Sequence, residues 1–261
     1  MPQRHDHLFE GIANFQALEA AARRAVKGKR SKPGAARFML NLERELLRLE
    51  RELWEGNYRT GTYLELLVHD PKQRVVSAAP FRDRVVHHAL FAVIGPIFER
   101  GFIADSFANR SGFGTHRAVA RYEQLRDRHA QVLRADIWRY FPSIDHEVLK
   151  RDLRRRLACP RTLELCDRII DGSNPQEPAE AYLPGDDLFQ PSRRRRGLPP
   201  GNLTSQFFAN VYLNGLDHWV KELLRAPYLR YVDDFALFSN SAGQLQEWRN
   251  RIESYLVGRR L

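Results

Sequence analysis

The sequence predicts an α+β protein in which a helical N-terminal extension, residues 1–60, precedes a mixed region of helices and strands, residues 61–261. Three observations support this prediction. Residues 38–54 repeat leucine and charge at helical spacing, which is typical of an amphipathic helix. Residues 65–79 contain strand-like runs on either side of an Asp-Pro-Lys break, and residues 229–238 contain two such runs around an Asp-Asp pair. Runs of this kind on either side of turn residues favour antiparallel hairpins.

The composition points to a polyanionic partner. The chain has 261 residues, with 42 Lys and Arg against 32 Asp and Glu, and its net charge is +10. Because each phosphate that a basic side chain neutralises releases counterions, this charge favours nucleic-acid binding. No stretch is long and apolar enough to span a bilayer, and no signal peptide opens the chain. We therefore expect no membrane partner and a cytoplasmic location.

Basic side chains are concentrated in two places in the first third of the chain. Residues 23–37 hold seven basic and no acidic side chains, which indicates either a solvated loop or a contact with an RNA backbone. The predicted hairpin at residues 65–79 carries Lys72 and Arg74, and Arg82 follows it. Ammonium and guanidinium groups offset phosphate charge, so we expect these three side chains either to contact a triphosphate or to be merely solvated.

Two acidic sites indicate a metal-dependent reaction. Asp136 ends a short apolar strand, and Asp145 is placed to cap the helix that follows. Asp233 and Asp234 occupy the predicted tight turn of the hairpin at residues 229–238. An Asp-Asp turn is common in surface loops, but the flanks here are apolar, and carboxylates at the tip of a buried hairpin imply a bound cation. Magnesium prefers oxygen ligands, so two or three carboxylates with substrate phosphates are the expected cage.

The segment between the two acidic sites contains an exposed excursion and a helix. Residues 171–196 are rich in Gly, Pro, Ser and acidic residues and end in four arginines, which either meet phosphate or are solvated. A Gly/Pro-rich turn then leads into an amphipathic helix over residues 202–214, which lets backbone approach a flat or anionic ligand closely. An ordinary capped helix is the alternative. A last helix is predicted over residues 244–256.

Taken in order, these motifs resemble those of the reverse transcriptases, and of the bacterial retroelement type in particular. Tyr-Val-Asp-Asp at residues 231–234 resembles the catalytic hairpin of that family, and Asp-Ile-x-x-x-Phe at residues 136–141 resembles its first metal-binding strand. Gly-Leu-Pro-Pro-Gly-Asn-Leu-Thr-Ser-Gln at residues 197–206 resembles its template- and nucleotide-binding helix. Residues 79–90 and 106–116 are similar to the fingers and early palm motifs of group II intron and diversity-generating retroelement enzymes.

The resemblance implies a right-hand polymerase fold, with residues 61–261 as fingers and palm, the palm incomplete at its C-terminal end and the thumb absent. It implies an RNA-directed DNA polymerase that uses two Mg²⁺ ions, with Mn²⁺ as a substitute. Asp136, Asp233 and Asp234 are then the catalytic residues, and Ile137 joins them at the metal. Phe141 matches the position at which this family places an aromatic ring against the 2′ carbon of the sugar.

The resemblance also implies two sets of binding residues. The nucleotide-binding set is Lys72, Arg74, Arg82, Phe141, Pro200, Gly201 and Gln206. The nucleic-acid-binding set is Arg110, Gly114, Arg193, Arg194, Arg195 and Arg196.

The subfamily is predicted from a departure in one motif. Many reverse transcriptases carry Gln-Gly and end this motif in Ser-Pro, whereas this chain has Pro200-Gly201 and Ser205-Gln206. The departure is most similar to diversity-generating retroelement polymerases, which implies error-prone copying of an RNA template into cDNA. The implied partners are an RNA template, a DNA or RNA primer, deoxynucleoside triphosphates and a small basic accessory protein. The alternatives are a phage-defence enzyme, a group II intron-like or retron-like enzyme, and a non-catalytic RNA-binding module.

Overall fold

The computed structural model describes residues 3–69, 73–173, 182–183 and 186–261. The described chain is α+β, with small antiparallel sheets among helices, as the sequence predicts. It divides into two compact units. The first unit comprises Met1–Phe98, Lys150–Gln176 and Gly197–Phe207, and the second comprises Glu99–Leu149, Glu177–Arg196 and Phe208–Leu261. Residues 1–60 group with the segment that follows them, and the division at residues 60 and 61 stays a prediction.

Runs of helices are interrupted by short strands along the described chain. The helices are α1 Phe15–Ala25, α2 Pro33–Leu40, α3 Leu42–Trp54, α4 Phe81–Glu99, α5 Thr115–Arg126, α6 Tyr140–Ser143, α7 His146–Arg154, α8 Pro160–Asp171, α9 Gln190–Arg193, α10 Leu203–Glu222 and α11 Ala242–Gly258. The strands are β1 Leu64–His69, β2 Gln73–Ala78, β3 Gln131–Ala135, β4 Tyr228–Tyr231 and β5 Asp234–Ser239. Within the part of the chain that the structure describes, no helix is long and apolar enough to cross a bilayer.

In the first unit, α1 and α3 pack together through an apolar stripe. Leu18 of α1 and Leu46 and Leu49 of α3 are fully buried. The single helix predicted over residues 38–54 is wrong in one respect, because the helix breaks at Asn41. The backbone of Asn41 leaves helical geometry, with φ −115° and ψ 31°, and its side chain donates to the Arg37 carbonyl. An asparagine favours such an end because its short side chain competes for backbone partners.

The basic stretch at residues 23–37 is partly helical, so the loop interpretation is incomplete. Arg23 and Arg24 lie in the last turn of α1, and Arg37 lies in the last turn of α2. Cations there are stabilised by the partial negative charge at a helix C-terminus. The hairpin predicted over residues 65–79 is confirmed, with β1 and β2 paired from Leu64↔Ala78 to His69↔Gln73.

In the second unit, the three-stranded sheet has the order β3-β5-β4 and is antiparallel throughout. Helix α5 covers one face, where Ala118 and Leu125 join Leu229, Ala236 and Phe238 in a core cluster. Helix α11 packs against β3 and β5, and its apolar face buries Leu245, Trp248 and Ile252. The unit is therefore a sheet held between helices, which leaves the ends of its strands to carry polar groups.

Candidate active site

The sheet register brings Asp136 and Asp234 face to face. The last β3–β5 pair is Ala135↔Phe235, so Asp136, one residue after β3, lies across from Asp234, the first residue of β5. Directly opposed residues in an antiparallel pair point to the same face, with Cβ atoms about 4.5–5.5 Å apart. Two acidic sites that are remote in sequence thus meet at one end of the sheet, where both carboxylates are exposed.

The third carboxylate lies in the turn between β4 and β5. Tyr231 pairs with Asp234, so the two turn residues are Val232 and Asp233, one residue earlier than the predicted Asp-Asp turn. A two-residue hairpin requires positive φ at its first turn position, and Val232 has φ 61°. A β-branched residue in this left-handed region costs about 1–2 kcal/mol. The hairpin tip is therefore strained at the residue that directly precedes Asp233, as is common at functional sites.

A buried arginine lies beneath this turn. The Arg230 guanidinium has no exposed surface, and its Nη1 donates to the Val232 carbonyl at 2.6 Å and to Asn210 Oδ1 at 3.1 Å. Its Nε and Nη2 donate to the two carboxylate oxygens of Asp217 at 2.8 and 2.7 Å, and Nη2 also donates to Ser106 Oγ at 3.1 Å. All five N–H donors of the guanidinium thus have an acceptor.

The electrostatics of the site favour a cation. Burial raises the pKa of Asp233, repulsion from Asp136 and Asp234 raises it further, and the nearby charge of Arg230 lowers it. Burial also raises the pKa of Asp136, and the Asp234 carboxylate adds to that rise. Among the residues that the structure describes, none of these three carboxylates forms an ion pair. Carboxylates that gather without a cationic partner are stabilised when a metal ion neutralises them.

The donor atoms fit Mg²⁺ or Mn²⁺, which prefer oxygen ligands. In the described residues, no group of three or more His, Cys, Asp or Glu side chains is placed to hold a metal ion by itself. This suits ions that usually take one or two protein carboxylates together with waters and substrate phosphates. The Ile137 side chain is buried, so only its backbone is left to contribute a ligand.

A cavity of about 610 Å³ adjoins the Asp136–Asp234 pair on the same face of the sheet. Its walls come from α5 and from the three strands, and its lining residues include Thr115, Tyr122 and Tyr231. Thr115 Oγ1 and the Tyr231 hydroxyl lie 3.0 Å apart, which joins the start of α5 to the end of β4. The acidic pair therefore stands at the rim of an open, partly apolar recess.

Phe141 lies on the short helix α6, close in sequence to Asp136. The chain enters this helix through Arg139, which has the left-handed φ of 51°. Phe141 is half-buried, and its ring meets that of Tyr140 at 5.6 Å in an edge-to-face arrangement. The Tyr140 hydroxyl donates to the Ala209 carbonyl at 2.6 Å and anchors the helix from below. The position of Phe141 is therefore fixed locally, and its role at a sugar stays a prediction.

The motif at residues 197–206 belongs to the first unit and is held against strand β2. Gly201 has φ 94°, and a Cβ there would come within 2.7 Å of Val76 Cγ1, so glycine is required. The buried Asn202 side chain accepts from the Ala79 amide at 3.1 Å and donates to the Ser77 carbonyl at 2.7 Å. Pro200 and Gln206 are half-buried on either side of it. The helix that follows is longer than predicted, since α10 extends to Glu222.

The three basic residues of the predicted nucleotide-binding set differ in what the structure describes of them. Lys72 lies outside the described residues, and Arg74 is described only as a backbone position of β2. The Arg82 guanidinium pairs with Glu52 and lies over the Tyr58 ring at 5.6 Å. Arg82 is thus already engaged, and a triphosphate would have to compete with Glu52 for it.

Arg110 and Gly114 of the nucleic-acid set lie next to α5. The Arg110 guanidinium donates to the carbonyls of Ile103 and Ser106 at 2.7 and 2.6 Å and lies 3.9 Å from the centre of the Phe113 ring. These contacts are internal and brace the loop, and a contact of Arg110 with nucleic acid stays a prediction. Gly114 precedes α5 with φ 125°, and nothing lies within 4 Å of the place its Cβ would occupy.

The four-arginine run does not form a uniform basic patch. Arg193 and Arg195 are exposed, whereas the Arg194 side chain and Arg196 are buried. Arg194 pairs with Asp186 and lowers the pKa of that carboxyl to about 2. Arg193 is thus a candidate for a phosphate contact. Its guanidinium lies over the Phe189 ring at 5.5 Å.

Sequence reasoning missed the pair formed by Arg230 and Asp217. One signal was available, because Arg230 lies inside an apolar strand, and a buried guanidinium needs a buried partner. The partner lies on α10 and is brought beneath β4 only by the packing of the second unit, so its identity had no local signal.

The predicted cap at Asp145 is confirmed, since its carboxylate accepts from the Val148 amide at 3.0 Å.

Comparison with known proteins supports the same interpretation. The chain is 26% identical over 185 residues to Protein YkfC of Escherichia coli strain K12, a match that covers 68% of this chain and 46% of that protein. It is 24% identical over 169 residues to an uncharacterized 91 kDa protein in a cob intron of Schizosaccharomyces pombe, which covers 65% of this chain and 20% of that protein. The chain therefore spans less than half the length of these relatives.

A solved structure shares the fold. A chain of a partial Cas6-RT-Cas1–Cas2 complex matches with a TM-score of 0.50 at 16% identity, over 95% of this chain and 41% of that chain. Residues 69–261 match the family model described as reverse transcriptase (RNA-dependent DNA polymerase), and they include both acidic sites and the motif at residues 197–206. With its α+β architecture and its hairpin of gathered carboxylates, the chain therefore belongs to the reverse transcriptase family.

Proposed function

We propose that this chain carries the catalytic centre of an RNA-directed DNA polymerase that extends a primer with deoxynucleotides on an RNA template. The observation that carries the proposal is the meeting of Asp136, Asp233 and Asp234 at one end of the three-stranded sheet, without ion pairs among the described residues. This arrangement favours an enzyme over a non-catalytic RNA-binding module, because gathered acids near phosphate destabilise a protein unless a cation joins them.

The proposed reaction forms one phosphorus–oxygen bond and breaks another. The 3′ oxygen of the primer attacks the α-phosphorus of the incoming nucleotide, and pyrophosphate leaves from the opposite side. Two Mg²⁺ ions, when bound, would activate the attacking hydroxyl and stabilise the leaving group. Asp136 and Asp233 would hold them and Asp234 would support them, with the backbone of Ile137 beside them. Phe141 would exclude the 2′-hydroxyl of a ribonucleotide.

Our first prediction is that Asp233→Asn abolishes nucleotide addition and leaves the fold intact. Loss of one carboxylate removes charge where the transition state needs it, so we expect a loss of at least about 10²–10³-fold in rate. Extension of a DNA primer on an RNA template is measured with Mg²⁺, and circular dichroism checks the fold.

Asp127→Asn is the matched control, because Asp127 is an exposed acid of the same unit and pairs with its neighbour Arg126. It should extend primers as the wild type does. Near-normal extension by Asp233→Asn would contradict the catalytic assignment, and a wild-type chain inactive on every primer tested would favour the RNA-binding module.

We further propose that the copying is error-prone and serves a diversity-generating retroelement. Pro200 supports this, because proline offers no side-chain hydrogen bond where many relatives have glutamine. The Schizosaccharomyces pombe relative is described as lying in an intron, which favours the group II intron-like alternative. A variable-repeat and template-repeat pair beside the gene, with a small basic accessory protein, would support the retroelement role, and its absence would favour intron or phage-defence roles.

A further inference from the structure

We propose that Arg230 is a positioning residue that holds the strained hairpin turn and thereby sets the geometry of Asp233 for metal binding. The inference rests on the proposed metal-dependent function and concerns a residue outside the acidic triad. Arg230 Nη1 donates to the Val232 carbonyl at 2.6 Å, so the guanidinium binds the peptide unit that joins Val232 to Asp233.

The strained turn at Val232 needs a hydrogen-bonding partner. Val232 has φ 61°, a conformation that a β-branched residue rarely adopts without support from its surroundings. A hydrogen bond from a buried charged donor to its carbonyl is short and strong, and it opposes relaxation of the turn. Asp233 follows directly, so any relaxation of Val232 would redirect that carboxylate.

Arg230 is itself held in place by hydrogen bonds of its backbone and its side chain. Its backbone amide donates to the Asp105 carbonyl, and its carbonyl accepts from the Phe107 amide. Its side chain is clamped by both oxygens of Asp217, which is fully buried on α10 and also accepts from the Tyr228 hydroxyl at 2.8 Å. This rigid base transmits the position of α10 to the hairpin turn.

The charge of Arg230 is balanced by Asp217. A bare cation beside Asp233 would compete with a metal ion for that carboxylate, but Asp217 balances Arg230 through two hydrogen bonds. Arg230 can therefore hold the turn through the Val232 carbonyl without neutralising the acidic site. Lysine cannot replace it, because an ammonium group lacks the planar fork that reaches Asp217, Asn210 and the turn together.

The test measures Mn²⁺ binding to the full chain by electron paramagnetic resonance, without substrate, for the wild type and Arg230→Lys. Supporting partners of a metal ligand are worth about 10- to 100-fold in metal affinity, and we expect a loss in this range for Arg230→Lys. Arg259→Lys is the matched control, because Arg259 is also buried in the second unit and donates to a backbone carbonyl, that of Tyr212. It should bind Mn²⁺ as the wild type does.

A second variant separates positioning from general destabilisation. Glycine adopts positive φ without strain, so Val232→Gly should recover part of the lost Mn²⁺ affinity in the Arg230→Lys background. A merely structural role for Arg230 predicts no such recovery. If Arg230→Lys does not fold, Ser106→Ala is measured instead, because it removes a single acceptor from Nη2. Ser106→Ala should then weaken Mn²⁺ binding measurably.

The outcomes distinguish this inference from the proposed function. Wild-type affinity in folded Arg230→Lys, or in Ser106→Ala where that variant is needed, overturns the positioning role while primer extension by the wild type stands. A wild-type chain that neither binds Mn²⁺ nor extends a primer overturns both. Weak binding by Arg230→Lys, recovery by Val232→Gly and unchanged binding by Arg259→Lys support the positioning role.

Discussion

Asp233 is a half-buried carboxylate with two further carboxylates among its charged neighbours. This position lowers the stability of the folded protein when no metal is bound. Its pKa is raised in the folded protein, so the folded state holds its proton more tightly than the unfolded chain does. Stability therefore falls as the pH rises from the unfolded pKa through the raised value, and it stays lower above that value.

Our second prediction follows from this sign. In EDTA at pH 7, Asp233→Asn should unfold at a higher urea concentration than the wild type, because the variant lacks the repelling charge. The difference should shrink as the pH falls through the raised pKa of Asp233, because the wild-type carboxyl then takes up its proton. Added Mg²⁺ should stabilise the wild type more than the variant. A wild type that is more stable than Asp233→Asn in EDTA at pH 7 would contradict the electrostatic account.

The third prediction concerns the choice of sugar at Phe141. If the ring meets the 2′ carbon of the incoming sugar, Phe141→Ala should raise ribonucleotide use relative to deoxyribonucleotide use. A contact of this size is worth about 1–3 kcal/mol, or about 10- to 100-fold in selectivity. The ratio of kcat/KM values for the two nucleotides is the measurement.

Tyr140→Phe is the control for Phe141→Ala. It keeps both rings and removes only the bond to the Ala209 carbonyl that anchors α6, so the sugar preference should change much less than in Phe141→Ala. A folded Phe141→Ala protein with an unchanged ratio would assign Phe141 to core packing.

At the scale of the element, the turn before α10 is braced by its own neighbours. Asn202 bridges the Ala79 amide and the Ser77 carbonyl, and Gly201 closes against Val76. Gly201 cannot take a side chain without displacing Val76. Pro200 lies beside this brace and is half-buried, so its substitution leaves the main contacts of the turn in place.

The fourth prediction is that Pro200→Gln lowers misincorporation. A glutamine side chain can hydrogen-bond near the nascent base pair, and a site that uses such bonds penalises mispairs that leave polar groups unpaired. One such contact is worth about 1–3 kcal/mol, or about 10- to 100-fold in selectivity. Misincorporation is measured opposite each template base.

Pro200→Ala is the matched control for this variant, because it removes the same half-buried proline without adding a hydrogen-bonding side chain. If stiffness of the turn alone matters, the two variants should behave alike. An error rate that does not fall in Pro200→Gln, with extension preserved, would assign Pro200 to the scaffold and remove this argument for mutagenic copying.

At the scale of the whole molecule, the basic side chains that give the net charge of +10 differ in whether they are paired internally. Many of its arginines are paired internally, as Arg230, Arg194 and Arg82 are with Asp217, Asp186 and Glu52. Such side chains form structural contacts, and in the proposed RNA binding their charge would act only through the general field of the protein. Exposed arginines are the ones that can neutralise phosphates directly.

The fifth prediction compares two neighbouring arginines. Arg193→Ala should lower RNA affinity at low salt and reduce the dependence of log K on log salt by about one, because one phosphate contact is lost. Arg194→Ala should leave this slope unchanged and lower the free energy of unfolding, since it breaks the pair with Asp186. RNA binding across a salt series and urea unfolding measure the two effects. Equal slopes for Arg193→Ala and the wild type would exclude the phosphate contact.

The sequence by itself determined the α+β class, both hairpins and the cap at Asp145. These features depend on local patterns, since alternation, turn residues and capping act within a few residues. It missed the break at Asn41 and placed the hairpin turn one residue late, because a short polar side chain and a valine with positive φ were not the expected choices there.

Only the tertiary structure decided which acids face each other and what supports them. The register of β3 on β5 opposes Asp136 and Asp234, and residues that distant in sequence carry no local signal of their pairing. The same holds for Arg230, whose partner Asp217 lies on another element, and for Arg194, which is turned inward by Asp186. Charge in a sequence does not show whether a side chain meets solvent or a partner, because burial and pairing depend on packing between remote segments.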